Sequence, residues 1–281
     1  IAVAILHDAG GEDDVAKTNP SPINGAVIRF VPALVLPNPA RGCAMTQADK
    51  PSTLQQSGWA EFRSYLSLTI VLLIMLVLLF WPAGTIDWRR AWLFLTLFIV
   101  LIFVAMSWIK RDNPELLVVR QKYQEGTKGW DAIVATLSII LFALILPVAG
   151  FDERFQWAIA PDWVTLLGYA LLTAGFMGAT WAQSVNRHFE ATVRIQTDRD
   201  HKVIDTGPYA YIRHPGYAFG LLMGAGCALS LGSFAALIPV GLAAIALTGR
   251  TLGEEGVLIE SLPGYPEYKA RVKWRWLPFV W

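Results

Sequence analysis

Charge and cysteine are what this chain has least of. Only 16% of its 281 residues are charged, against about 25% in an average soluble domain. The deficit is concentrated in long apolar runs, which argues against a soluble globular chain and reads as a bilayer-embedded one. Two cysteines, Cys43 and Cys227, cannot build a disulfide framework or a thiolate metal site. The four histidines, His7, His188, His201 and His214, show no HExxH or related ligand spacing, so no metal is expected. No G-x-G-x-x-G follows a strand-like run, so a Rossmann cofactor domain is not expected. The net charge of +1 gives no sign of a nucleic-acid partner, and none is expected.

What is present is a series of apolar runs. Leu66–Trp81, Ala91–Ile109, Ile133–Val148 and Val164–Ala182 are each near the roughly 20 residues that cross a bilayer. Trp81, Trp88, Trp92, Trp108, Trp130, Trp157, Trp163 and Trp181 sit near their ends, as in an interfacial aromatic belt. The fifth run, Tyr217–Thr248, is too long for one span and is interrupted at Leu231-Gly232-Ser233, which predicts a helical hairpin. Its halves are slightly short, and Pro239 is a candidate kink in the second. The expectation is an all-α integral membrane protein of about six transmembrane helices, including a C-terminal hairpin.

Lys and Arg set the expected orientation. They cluster at 110–132, 187–216 and 250–275, whereas the opposite side holds only Arg89, Arg90 and Arg154. The positive-inside rule places the three basic segments and both termini in the cytoplasm, which an even number of crossings satisfies. Residues 1–44 are proline-bearing and aperiodic and read as a disordered upstream extension. Residues 45–184 then hold the N-terminal transmembrane helices, and 185–281 hold the chemistry.

Three polar clusters flank the hairpin. They are Gly207–Tyr217 (GPYAYIRHPGY), Arg250–Leu258 (RTLGEEGVL), and a third from Leu262-Pro263-Gly264-Tyr265-Pro266 through Tyr268 and Arg271 to Pro278. Each half of the hairpin is about 25 Å of helix, so His214 and Glu254 return to one membrane surface. A basic group there faces an acidic pair. S-adenosyl-L-methionine carries matching chemistry. Arg213 or His214 suits its carboxylate, Glu254 or Glu255 its ammonium or ribose diol. Tyr209, Tyr211, Tyr217 and Tyr265 suit its adenine or sulfonium. Structural readings stand beside these. A juxtamembrane Arg213 anchors at headgroups, Arg250 and Glu254 form a surface i,i+4 pair, and Pro215 opens a helix. Gly216, Gly220 and Gly224 form a GxxxGxxxG pattern, read as close helix packing or as room for a ligand.

GPYAYIRHPGY, RTLGEE and LPGYPEYKARVKWRWLPFVW together resemble the isoprenylcysteine carboxyl methyltransferase family, grouped with phospholipid methyltransferases. Gly84–Trp88, Asn113–Leu117 and Gly150–Asp152 extend the likeness to bacterial members, over roughly 60–281. The resemblance implies a cytoplasm-facing S-adenosylmethionine pocket in a bacterial inner-membrane protein, with a lipophilic or small methyl acceptor. It implies cofactor contacts at Tyr209, Arg213, His214, Tyr217, Glu254 and Glu255. Tyr265, Tyr268 and Arg271 would belong to a closing segment, and Asn186 and His188 to the acceptor side. No catalytic residue is assigned. Two alternatives stay open: an NADPH-dependent membrane reductase of the sterol reductase type, whose RHPxY-like element is followed by an acid absent here, and a non-enzymatic membrane protein of the same fold.

Overall fold

A computed structural model describes residues 53–114, 116, 129–189 and 201–281, with side chains from residue 66 onward. The expectation for residues 1–44 lies outside the described residues, as do parts of the basic segments at 110–132 and 187–216. The described residues from 70 onward belong to one compact unit and residues 53–69 to another.

Helix α1 runs Thr53–Ala83, α2 Arg89–Asp112, α3 Gly129–Phe155 and α4 Asp162–Val185. A 3-10 turn at Gly207–Ala210 leads into α5, Pro215–Ser230, followed by α6, Leu237–Ser261, and α7, Tyr265–Arg271. Among the described residues there is no strand, only isolated bridges between Ile159 and Ser233 and between Ile212 and Trp274. Helices α1 to α4 and α6 are long and apolar enough to cross a bilayer. The protein is an all-α, multi-pass membrane protein. Leu73, Val77, Phe103, Ile133, Leu166 and Ile245 are exposed, which suits contact with lipid tails and would be a liability in water.

The expected hairpin is α5 and α6, and its turn spans residues 231–236. Helix α5 has 16 residues, about 24 Å, which is short for a span. None of its residues is exposed, so its neighbours, not lipid, satisfy its apolar surface. Pro239 falls in the first turn of α6. A proline there removes no helical hydrogen bond, so the expected kink does not arise from it.

Helices α4 and α5 pack backbone to backbone, and this corrects the GxxxGxxxG reading at Gly220, whereas a Cβ on Gly224 would come within 2.7 Å of the Phe142 ring of α3 and one on Gly216 within 2.8 Å of the Phe189 ring. A Cβ on Gly226 would lie 2.2 Å from the Leu172 nitrogen, and one on Gly175 would lie 2.3 Å from the Met223 nitrogen. A Cβ on Gly220 would meet nothing within 4 Å. The spacing of Gly216, Gly220 and Gly224 does reveal small residues, but the face that meets α4 carries Gly226. The aromatic belt also needs correction. Trp81, Trp157 and Trp163 are exposed, but Trp88 is buried and meets Phe80 edge-on with ring centroids 6.3 Å apart.

The two ends of the bundle are built differently. At one end Asp152 accepts the Ala158 N–H at 2.7 Å and the Ser233 hydroxyl, which in turn accepts the Ala236 N–H at 3.0 Å. This caps the α5–α6 turn, and Arg90 pairs with Asp162 nearby at 2.7 Å. At the other end the α2 and α4 termini are joined. Asn113 Nδ2 donates to the Gln183 and Asn186 carbonyls at 2.8 and 3.1 Å. The chemistry-bearing residues gather at that second end.

Candidate functional site

The RHP segment is held from the side by the C-terminus. The Arg213 N–H donates to the Trp274 carbonyl and the His214 N–H to the Arg275 carbonyl, both at 2.9 Å. These two bonds form a short parallel ladder that fixes where the Arg213 and His214 side chains leave the backbone. Pro215 then starts α5, and α6 returns with Glu254 and Glu255.

Consecutive residues on a helix project about 100° apart, and the two glutamates consequently do different things. Glu255 Oε1 accepts from Arg213 Nε at 2.7 Å and lies 3.3 Å from His214 Nε2, while Oε2 accepts from Arg275 Nε at 3.1 Å. Its side chain is 3% exposed, like that of Arg213. Arg213 also donates through Nη1 to the Val272 carbonyl at 2.6 Å. Glu254 is 24% exposed and lies 3.8 Å from His214 Nδ1, and its Oε2 accepts the Tyr217 hydroxyl at 2.6 Å. The His214 and Tyr217 rings stack nearly parallel, 5.6 Å apart.

These groups border an open cleft of about 880 Å³, counting the space at its mouth. Arg213, His214, Tyr217 and Glu254 line it, and Glu255 stands behind them. Asn186, His188, Tyr209, Tyr265 and Tyr268 complete the expected lining. Asn186 Nδ2 donates to the Tyr209 hydroxyl at 3.0 Å, and the Tyr268 hydroxyl donates to the Tyr209 carbonyl at 2.8 Å. Burial pushes the Tyr209, Tyr265 and Tyr268 hydroxyls above the usual phenol range, so all three stay protonated donors. The Tyr265 hydroxyl is buried and has no partner among the described residues. Arg271 does not line the cleft; it is exposed and pairs with Asp205.

Compared with known proteins, residues 163–262 match the phospholipid methyltransferase family. The similarity to the phospholipid methyltransferases is thus carried by residues 163–262. A solved structure of the eukaryotic intramembrane Ras methyltransferase ICMT (isoprenylcysteine carboxyl methyltransferase) is similar at 17% identity and a TM-score of 0.48, covering 75% of this chain and 74% of that one. No protein of curated function matches the chain in sequence. The membrane methyltransferase resemblance read from RHPGY and EE is borne out.

Within and beside residues 163–262, the sequence reading missed several residues. Phe189, His201, Lys202 and Val203 also line the cleft; they carry no motif that would have marked them. Trp276 Nε1 donates to Thr251 Oγ1 at 3.1 Å, which docks the C-terminal segment on α6.

Arg250 is the clearest correction. It is not an exposed partner of Glu254. It is 8% exposed and forks onto the fully buried Asp131 of α3, Nε to Oδ1 at 2.8 Å and Nη2 to Oδ2 at 3.2 Å. Removing one partner of a buried pair takes away the counter-ion that offsets the burial of the other charge. Arg250→Ala should therefore cost about 3–5 kcal/mol, not the few tenths of an exposed helical pair. Thermal unfolding in detergent measures it. A midpoint within a degree or two of wild type would show that Asp131 is satisfied without Arg250.

Proposed function

We propose that the protein is an S-adenosyl-L-methionine-dependent methyltransferase that acts on a lipophilic or small acceptor at the membrane surface. The observation that carries this reading is the Arg213–His214–Tyr217–Glu254 lining of a cleft at the end of a membrane bundle. The family match over 163–262 supports it independently. The lining fits the cofactor's chemistry. The Tyr265 hydroxyl, buried and without a partner among the described residues, offers a polar ligand a hydrogen bond. Glu254 accepts the Tyr217 hydroxyl and faces the cleft, so it keeps acceptor capacity for an ammonium or a diol. Arg213, with the His214 ring beside it, offers hydrogen-bond donors for a carboxylate. Tyr209 and Tyr217 offer aromatic surface for an adenine or a sulfonium.

Bound there, S-adenosylmethionine would supply an already activated electrophilic methyl group. The protein's own work is then to orient the acceptor and exclude water. A carboxylate or thiolate acceptor needs no general base, whereas an amine must first lose a proton. Asn186 and His188 line the same cleft and are proposed for the acceptor side. Glu255, fully engaged behind the wall, is proposed to act by holding Arg213, His214 and Arg275 in place. Tyr268 is proposed to brace the Tyr209 segment, and Arg271, with Asp205, to tether α7. We further propose that this end of the bundle and both termini face the cytoplasm of a bacterial inner membrane, from the Lys/Arg asymmetry.

Calorimetry in detergent tests the reading. Wild type should bind S-adenosylmethionine, and His214→Ala or Glu254→Ala should each weaken binding by roughly 10- to 150-fold, the worth of a charged hydrogen bond. Binding of NADPH in its place would return the reductase reading. Binding of neither would leave a non-enzymatic membrane protein. Methyl-labelled cofactor offered to lipid extracts would then identify the acceptor.

A further inference from the structure

The end of the bundle opposite the cleft carries a second pocket. It is open, holds about 550 Å³ counting the space at its mouth, and lies between the start of α2 and the end of α3. That volume is in the range of small-molecule sites. Asp87, Trp88, Arg89, Arg90, Glu153 and Gln156 are in its wall, and none of its lining falls within residues 163–262.

Two cations and two carboxylates line this pocket, yet they do not neutralise one another. Arg90 turns to Asp162 at 2.7 Å. Asp87, Arg89 and Glu153 form no ion pair with any described residue. Glu153 is half-buried, where a carboxylate without a counter-ion is costly. Trp88 is 2% exposed, and its indole N–H has no acceptor among the described residues, a rare state for a buried donor. Gln156 adopts a φ of +54°, uncommon for a residue other than glycine, and its Nε2 donates to the Glu153 carbonyl at 2.5 Å.

The surroundings of the pocket are apolar. Ile86, Phe155 and Trp157 are the chain neighbours of Asp87 and Gln156, and all three are exposed. The Phe155 and Trp157 rings stack with centroids 5.4 Å apart. Trp81 and Trp163 are exposed at the same end. Exposed indoles of a membrane protein belong at headgroup level, so the pocket sits where headgroups are, with apolar rings beside it for acyl chains.

We propose that this pocket holds the zwitterionic headgroup of a phospholipid from the leaflet opposite the cleft, its phosphate against Arg89 and the Trp88 indole and its ammonium against Glu153 and Asp87. A lining with no net charge but both signs matches a headgroup that carries both signs. A headgroup ending in hydroxyls has no cation to set against Glu153. No step of the proposed methyl transfer passes through this site, so it stands apart from the reading of the cleft.

Native mass spectrometry tests the site, on the full chain released from nanodiscs of equal phosphatidylethanolamine and phosphatidylglycerol. Wild type should retain phosphatidylethanolamine over phosphatidylglycerol by about tenfold, the worth of one charged hydrogen bond. Glu153→Gln keeps the shape and removes the charge, so retention of the two lipids should become equal within about twofold. Arg89→Ala removes the phosphate's partner and should lower retention of both lipids by about tenfold. Arg89 is exposed and unpaired, so its replacement leaves the fold intact, and this arm decides even where Glu153→Gln unfolds. Soluble glycerophosphoethanolamine at matched concentration should not displace the lipid, because it lacks the chains that meet the apolar rings. Displacement by it would assign the pocket to a free headgroup and overturn the lipid reading. Equal retention of the two lipids by wild type would overturn the proposal. So would a preference that survives in Glu153→Gln, or wild-type retention in Arg89→Ala.

Discussion

Replacing Glu255 with alanine is expected to destabilise the protein by about 3–5 kcal/mol, the cost of leaving buried charges without a counter-ion. The carboxylate meets Arg213 at 2.7 Å, Arg275 at 3.1 Å and His214 at 3.3 Å, and its side chain is 3% exposed. Removing it leaves two guanidiniums close together with no shared acceptor. Arg275 carries the C-terminal segment, whose backbone braces Arg213 and His214. The loss therefore propagates to the cleft wall. Glu255→Gln should be milder, because the amide oxygen still accepts one bond. Glu254→Ala should behave differently again. Its carboxylate is 24% exposed and accepts the Tyr217 hydroxyl, so about 1 kcal/mol of stability is at stake while ligand binding falls steeply. Thermal unfolding and calorimetry on the three variants separate these effects. Equal stability losses in Glu254→Ala and Glu255→Ala would show that the adjacent acids share one role, contrary to the geometry.

That division of labour could not be read from the EE dipeptide. What the sequence made legible was set by strong, local signals. Runs of about 20 apolar residues have few alternatives to a span, and α2 and α4 extend their runs by only two or three residues at each end, whereas α1 begins at Thr53, well before Leu66. Leu231-Gly232-Ser233 broke the fifth run where α5 stops, because glycine and serine interrupt a helix that leucine and alanine would continue. The RHPGY and EE elements arrive at one end because the hairpin between them returns. The missed features are non-local. Asp131 and Arg250 are 119 residues apart, and an aspartate next to Trp130 at the start of an apolar run reads only as a helix start. Arg275 and Trp274 reach the RHP segment through backbone bonds, which leave no mark on side-chain pattern. Trp88 lies near a run end as a belt residue would, yet its neighbours bury it. Sequence position gives depth along a span but not which way the side chain faces.

The same ambiguity of face governs α5, and it yields the second large expected effect. Gly216, Gly220 and Gly224 carry the recognisable spacing, so a pattern argument predicts that Gly220→Ala separates the helices. The structure predicts the opposite. A Cβ on Gly220 meets nothing within 4 Å, and alanine is the better helix former by up to about 1 kcal/mol. Gly220→Ala should leave the unfolding temperature unchanged or slightly raised. Gly226→Ala should lower it sharply. Its Cβ would lie 2.2 Å from the Leu172 nitrogen and 2.5 Å from the Leu172 Cα, and backbone cannot turn aside as a side-chain tip can. Helices α4 and α5 would have to part along their contact, which also runs through Gly175. Overpacking costs about 1–3 kcal/mol where side chains can yield; against backbone the upper end of that range or more is expected. In lipid, where close approach and not the hydrophobic effect holds helices together, little compensates. Because α5 begins at Pro215, the displacement would reach His214 and Tyr217, and cofactor affinity should fall together with stability. Thermal unfolding of both variants in detergent decides between the two readings. A stable Gly226→Ala with a destabilised Gly220→Ala would restore the GxxxGxxxG face as the one that packs.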